Sequence, residues 1–180
     1  MAESVVRAGA SDRVLTMSEL AEAMRACFPS EDVLRCAEIQ IEVGGLLEMA
    51  LRVSGTSMGM VSRLTNDQLR LLVQRGLTAQ AVELIDGLPA GPESACGRAV
   101  LEKNRVVIPD MDASDNAAFR EIARTIGFRA VHAVPLIALD GDPLGVLATL
   151  FIQSHEVIPA EARDIDEVAG RMAPLIARLA

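Results

Sequence analysis

The chain has 180 residues, 51% of them apolar and 23% charged, and a formal net charge of −8. That length supports one substantial core, and an acidic balance with no Lys/Arg cluster excludes a phosphate-backbone partner. With no Trp or Tyr and only four Phe, the chain also lacks the aromatic faces on which single-stranded nucleic acid stacks.

Residues 1–15 show no period. Thr16-Met-Ser-Glu19 has capping-box spacing and predicts a short helix over about 17–28, interrupted by Pro29. Ser30 followed by Glu31 and Asp32 starts a longer helix, because acidic side chains favour the positive N-terminal end. Along it Cys36, Ile39, Val43, Leu46, Ala50 and Val53 form one apolar line, and Leu34, Ile41, Leu47 and Leu51 form another. Two apolar faces predict two burial partners, the chain's own core and a second protomer.

After Gly55 the period falls to two. Met58, Met60, Ser62 and Leu64 alternate with their neighbours, Thr65-Asn66-Asp67 turns, and Leu69, Leu71 and Val73 alternate again, which predicts a β-hairpin. A helix over about 79–87 ends at Gly87 and Pro89. The loop Gly91–Cys96 then leads into a short helix of about 95–103 and a strand around 105–109. Ser114 or Asp115 is expected to cap a helix that turns Phe119, Ile122, Ala123 and Ile126 inward and stops at Gly127. Strands over 129–139 and 144–152 are joined by Asp140-Gly141-Asp142, a hairpin signal. Pro159 and Glu161 open a last helix with Ile165, Val168, Met172, Leu175 and Leu179 at heptad-like spacing, and Pro174 is expected to interrupt it.

This order predicts an α+β fold. A mostly antiparallel central sheet of five to six strands carries the terminal helices on one face, and small helices and loops cover a pocket on the other. Residues 1–30 read as an N-terminal extension with a short helix, and 31–180 as the domain. No apolar run approaches the ~20 residues of a membrane span, and the N-terminus has no apolar signal-peptide core. Three cysteines at irregular spacing (Cys27, Cys36, Cys96) fit a reducing cytoplasm better than a disulfide framework. Two histidines and no CxxC or HxxxH spacing give no metal site.

The chain from about residue 31 to 179 resembles the GAF domain, a small bacterial sensory module with a GAF/PAS-like fold. The resemblance is carried by SACGRAV at 94–100, VVIPDMDAS at 106–114, Phe119, the block Gly127-Phe-Arg129-Ala-Val131, Val134-Pro135-Leu136, Asp140-Gly141 and Leu144-Gly145-Val146-Leu147. It is strongest towards GAF modules attached to sensor histidine kinases. It implies a cytoplasmic sensory module that binds an unidentified small molecule between the sheet and the 91–127 segment. Such a module would form a homodimer through its terminal helices and signal to a separate partner, a histidine kinase or another signalling protein. No output segment is read in the chain, so a stand-alone module is expected.

Five residues are the candidate ligand-binding groups: Ser62, Cys96, Asp110, Arg120 and His132. Cys96 near a helix start invites a lowered pKa, but a free cysteine at such a junction is more often a small packed side chain. Arg120 can clamp an anion and Asp110 can accept from an amide, against ordinary capping and solvated-face roles. His132 shares one strand face with Ala130, Val134, Leu136 and Ala138. It is either a group facing the cavity or a satisfied core histidine. An enzymatic alternative is a thiol redox enzyme or switch centred on Cys96. Free-methionine-(R)-sulfoxide reductases are GAF proteins with a cysteine in the same element. Their catalytic cysteine falls in the segment corresponding to about 110–120, which here reads DMDASDNAAFR and has none. No catalytic residue is therefore assigned, no cofactor is identified, and the chain is expected not to be an enzyme. A ligand-free interaction module is the remaining alternative.

Overall fold

In the computed structural model, which describes residues 31–179, a long helix is followed by a sheet whose strands are separated by short helices. The chain divides into two units, Met1–Glu38 and Ile39–Ala180. The helix expected over 17–28, the cap residue Ser30 and Cys27 lie outside the described residues.

Helix α1 spans Glu31–Ser54. Ile39, Val43, Leu46, Leu47, Ala50 and Leu51 are all buried. The two apolar lines expected from the sequence therefore resolve differently. Positions 46–47 and 50–51 lie side by side on the 3.6-residue helix, so both belong to one broad buried stripe. What remains of the second face is Leu34, 51% exposed, and Ile41, 76% exposed, one heptad apart.

Strands β1 (Met58–Thr65) and β2 (Gln68–Arg75) form the expected hairpin. Its turn residues Asn66 and Asp67 have φ of 50° and 59°, the left-handed pair that a two-residue hairpin loop requires. Helix α2 (Ala79–Ile85) is capped by Thr78, whose hydroxyl accepts from Ala81 N. A two-residue strand β3 (Leu88–Pro89) then pairs with β2. Sequence periodicity does not show β3, because two residues carry no period. Helix α3 (Ala95–Glu102), strand β4 (Val106–Ile108), a 3-10 turn (Met111–Ala113) and helix α4 (Ala117–Ile126) follow. The cap of α4 is Asn116, whose Oδ1 accepts from Phe119 N at 3.2 Å, while Ser114 Oγ accepts from Asn116 N two residues on. The cap thus falls one residue beyond the expected Asp115 and two beyond Ser114, since Asn116 stands three residues before Phe119, whose amide it accepts from. Strands β5 (Ala130–Ile137) and β6 (Pro143–Phe151) are joined by a turn with Gly141 at φ 89°. Helix α5 runs from Pro159 to Ala177. It continues through Pro174 and ends within a turn of it. Gly170, whose carbonyl Pro174 leaves without its amide partner, is exposed to water.

The sheet order is β3-β2-β1-β6-β5-β4, and every pairing is antiparallel. With the five helices of the described residues it forms a curled antiparallel half-barrel, the α+β arrangement expected from the sequence. Two cores flank the sheet. On one face, α5 (Ile165, Val168, Met172, Ile176) and the 39–51 stretch of α1 pack on Val61, Val134, Leu136 and Leu147. On the other, α3, the 3-10 turn and α4 pack on Met60, Val131, Val146, Ala148 and Leu150. Strands β5 and β6 are buried on both faces and so read as nearly continuous apolar runs. Among the described residues no helix is long and apolar enough to cross a membrane.

Candidate functional site

The second core is incompletely filled. Between the sheet and the short helices lies a cavity whose empty space, open mouth included, is about 540 Å³. The sheet contributes Met60, Ser62, Val131 and Leu150 as the floor. Phe119, Ile122 and Ile126 of α4 form the opposite wall, with Met111 and Phe128 on either side of that helix. Leu69, Ile85, Leu88 and the start of α3 (Ser94, Ala95, Cys96) complete the rim.

Local sequence explains how the wall is held. Ser94 caps α3, its hydroxyl accepting from Gly97 N at 2.9 Å. Gly97 is buried where the 89–91 segment crosses the helix. A Cβ added there would lie 2.7 Å from Gly91 N and 2.8 Å from Pro89 O, and closer still to Gly91 O. The Cys-Gly pair in SACGRAV is thus a packing device: only glycine lets the backbone of 89–91 lie against α3. Ser62 follows a register shift in the β1–β2 ladder between Val61 and Ser62, and such irregularities re-aim a side chain.

The five candidate residues do not converge. Ser62 and Cys96 line the cavity, and both are buried, at 4% and 8% exposure. Cys96 lies just inside the first turn of α3, yet it is enclosed by apolar neighbours, and burial pushes its thiol up from 9.0 to about 12. Desolvation therefore outweighs any help from the helix end, and the group stays a neutral thiol at physiological pH. Asp110 is outside the cavity, in a shallower groove beside it that Arg98, Ser114 and Asn116 also line. Its carboxylate accepts from Arg129 Nε at 3.0 Å and Nη2 at 2.7 Å and from Asp112 N at 3.0 Å, and the Arg129 hydrogen bond is the main cause of its lowered pKa. This bidentate pair clasps the 3-10 turn to the start of β5. Arg120 lines neither space; it donates to the carbonyl of Ser114 and ties α4 to its own entry loop.

His132 lies on the opposite face. Val131 and Ala133 face the cavity layer, whereas Val134 and Leu136 face α1 and α5. Alternation along β5 therefore puts His132 with the latter. It is 1% exposed, and neither ring nitrogen has a hydrogen-bond partner. The hydroxyl of Thr149, its cross-strand neighbour, is equally unpartnered. The expectation of a satisfied histidine is therefore not met. Burial lowers its pKa from 6.5 to about 4, assisted by the Arg105 charge and opposed by Glu161 and Asp166. Nearby, His155 stacks on Phe151 at a centroid distance of 3.9 Å and meets Glu161 Oε2 at 2.9 Å, and Arg105 pairs with Asp166.

Sequence reasoning missed Met60, Met111 and Phe128 as wall residues. Met60 shares the alternating face of Ser62 and was within reach of that pattern, whereas Met111 and Phe128 sit in short irregular segments where no period points inward. Among the described residues no group of three or more His, Cys, Asp or Glu side chains is placed to hold a metal ion. No histidine lines the cavity.

Comparison with known proteins places this geometry. No curated protein matches the chain in sequence. Among solved structures, the fold is similar to the GAF domain region of a membrane protein from Geobacter sulfurreducens. That match has a TM-score of 0.71 and 18% identity, and covers 83% of this chain and 99% of the other. A domain of a two-component sensor histidine kinase from Sinorhizobium meliloti 1021 aligns with a TM-score of 0.63 and 16% identity, over 75% of this chain and 88% of the other. A type II free methionine-R-sulfoxide reductase from Thermoplasma acidophilum aligns with a TM-score of 0.66 and 16% identity, over 81% and 96%. At these identities the likeness concerns the fold. The GAF domain family profile matches residues 37–177, so the chain belongs to the GAF domain family.

Proposed function

We propose that this chain is a sensory GAF module that binds a small molecule in the cavity between the sheet and the helices of the 91–127 segment. The observation that carries this reading is the cavity itself. It is a concave, mostly apolar space with a few polar groups, walled on one side by a rigid six-stranded sheet and on the other by a ten-residue helix. A ligand that binds better when α4 is seated shifts the population towards that seating, and it shifts nothing without that difference in affinity. Pairing of two copies through α1, with Leu34 and Ile41 exposed one heptad apart, would carry the change to a signalling partner such as a histidine kinase.

This reading is of a binding module rather than an enzyme. A thiol mechanism needs an attacking thiolate and a resolving partner. Cys96 is held as a neutral thiol, and among the described residues no second cysteine lines the cavity.

The test is the native mass of freshly purified full-length protein against its denatured mass. A dimer mass with a reproducible small excess supports both parts of the reading. A monomer mass removes the pairing. If no excess is present and no added small molecule perturbs exchange of the 91–127 amides, the ligand reading fails.

A further inference from the structure

The chemistry of the cavity wall narrows the ligand. None of the side chains lining the cavity is charged. Among the described residues its polar side-chain groups are the hydroxyls of Ser62 and Ser94 and the thiol of Cys96. An ionised group placed inside would lose its water without gaining a counter-charge, which is far more costly than burying a neutral one. The thiol does not alter this, because burial keeps it protonated.

The two hydroxyls differ in what they still offer. Ser94 Oγ accepts from Gly97 N, so its own proton is left for an acceptor. Ser62 is buried at 4% exposure and lines the cavity, and its oxygen is not one of the enclosed atoms left without a partner. Its hydroxyl can both donate and accept. An uncharged oxygen brought in by a ligand would pair with it. The rest of the wall, Met60 and Met111 with Phe119 and Phe128, presents thioethers and ring faces. Such side chains adapt to hydrocarbon of varied outline and make no directional demand.

We infer that the ligand is a small, uncharged, largely hydrocarbon molecule with one oxygen function, a carbonyl or hydroxyl, that hydrogen-bonds to Ser62. The inference rests on the reading of this cavity as the ligand site. It excludes nucleotides, free amino acids and carboxylates from the interior.

The experiment uses the full chain labelled at its methionine methyl groups, titrated with five probes. Cyclohexanone, cyclohexane, cyclohexanecarboxylate and cyclohexylammonium share one ring and differ in their polar group; methionine sulfoxide is the zwitterionic probe. Cyclohexanone is expected to shift the Met60 and Met111 signals saturably and to bind at least about tenfold more tightly than either ion or the zwitterion. Ser62→Ala is expected to weaken cyclohexanone about fivefold and to leave cyclohexane unchanged, the latter showing that the variant keeps its cavity. A carboxylate, ammonium or sulfoxide that binds more tightly at those two signals overturns the ligand class and leaves the cavity reading standing. So does a Ser62→Ala variant that binds cyclohexanone as well as the parent. If no probe shifts Met60 or Met111, the cavity reading and the ligand class both fail.

Discussion

Replacing His132 by leucine should remove much of the acid sensitivity of this fold. The imidazole is 1% exposed between β5 and the terminal-helix layer, with both nitrogens unpartnered. Its charged surroundings are Arg105 from the loop before β4, Glu161 and Asp166 from α5, and His155 from the segment after β6, while Thr149 lies across the strand. Burial holds the folded-state pKa at about 4, against 6.5 for the free group. As pH falls below about 6.5 the unfolded chain takes up a proton that the folded chain refuses until about pH 4. The unfolded state therefore binds more protons across that window, and stability rises with pH through it. The neutral histidine's contribution is fully present above about pH 6.5 and is lost on the way down to about pH 4. At about 1.36 kcal/mol per pKa unit the full effect is about 3 kcal/mol, of which about 2 kcal/mol has gone by pH 5. Urea unfolding of the parent and His132→Leu between pH 7.5 and pH 4.5 measures it, because carboxylates common to both cancel in the difference. Near neutrality the variant should be equal or slightly more stable, since leucine removes two unpartnered nitrogens. On acidification the parent should lose about 2 kcal/mol more than the variant by pH 5. A gap between the two proteins that stays constant from pH 7.5 to pH 4.5 would refute the reasoning and show that the imidazole is hydrated or paired in solution.

Gly97→Ala should destabilise the fold by about 3 kcal/mol, because the new methyl group meets main-chain atoms of residues 89–91 that cannot rotate away; thermal unfolding reads this as a lowered Tm. Unchanged stability would mean that the 89–91 segment does not lie against α3. Cys96 should resist a thiol reagent at pH 8 for as long as the protein stays folded and react at once on unfolding. Peptide mapping of the labelled cysteine checks this, and rapid native labelling of Cys96 would revive the thiol-switch alternative.

Much of the architecture was legible because it is specified locally. Asn66-Asp67 and Asp140-Gly141-Asp142 mark the two hairpins through the backbone conformations they permit. The stripe 165-168-172-175-179 marks α5 through its period, although in its last turns Ile176 is buried and Leu175 and Leu179 are only partly so. The α4 face of Phe119, Ile122, Ala123 and Ile126 was readable for the same reason, and it became one wall of the cavity or its packing. The cap of that helix was misplaced by one or two residues, since Ser114, Asp115 and Asn116 all have capping side chains and only the chain path chooses among them.

The sequence by itself determined the class of fold and the order of its elements apart from the two-residue β3. Turns, caps and periodicities act over a few residues, and composition acts over the whole chain. Which side chains meet was decided by the tertiary structure alone. Ser62 and Cys96 share the cavity because β1 and α3 pack on the same side of the sheet, and His132 is absent from it because β5 turns that residue towards α5. A strand buried on both faces shows no apolar–polar alternation, so nothing along β5 distinguishes cavity side from helix side. The fate of Cys96 was likewise not readable along the chain. A helix start favours its thiolate and burial opposes it, and only the packed neighbours make the second effect win.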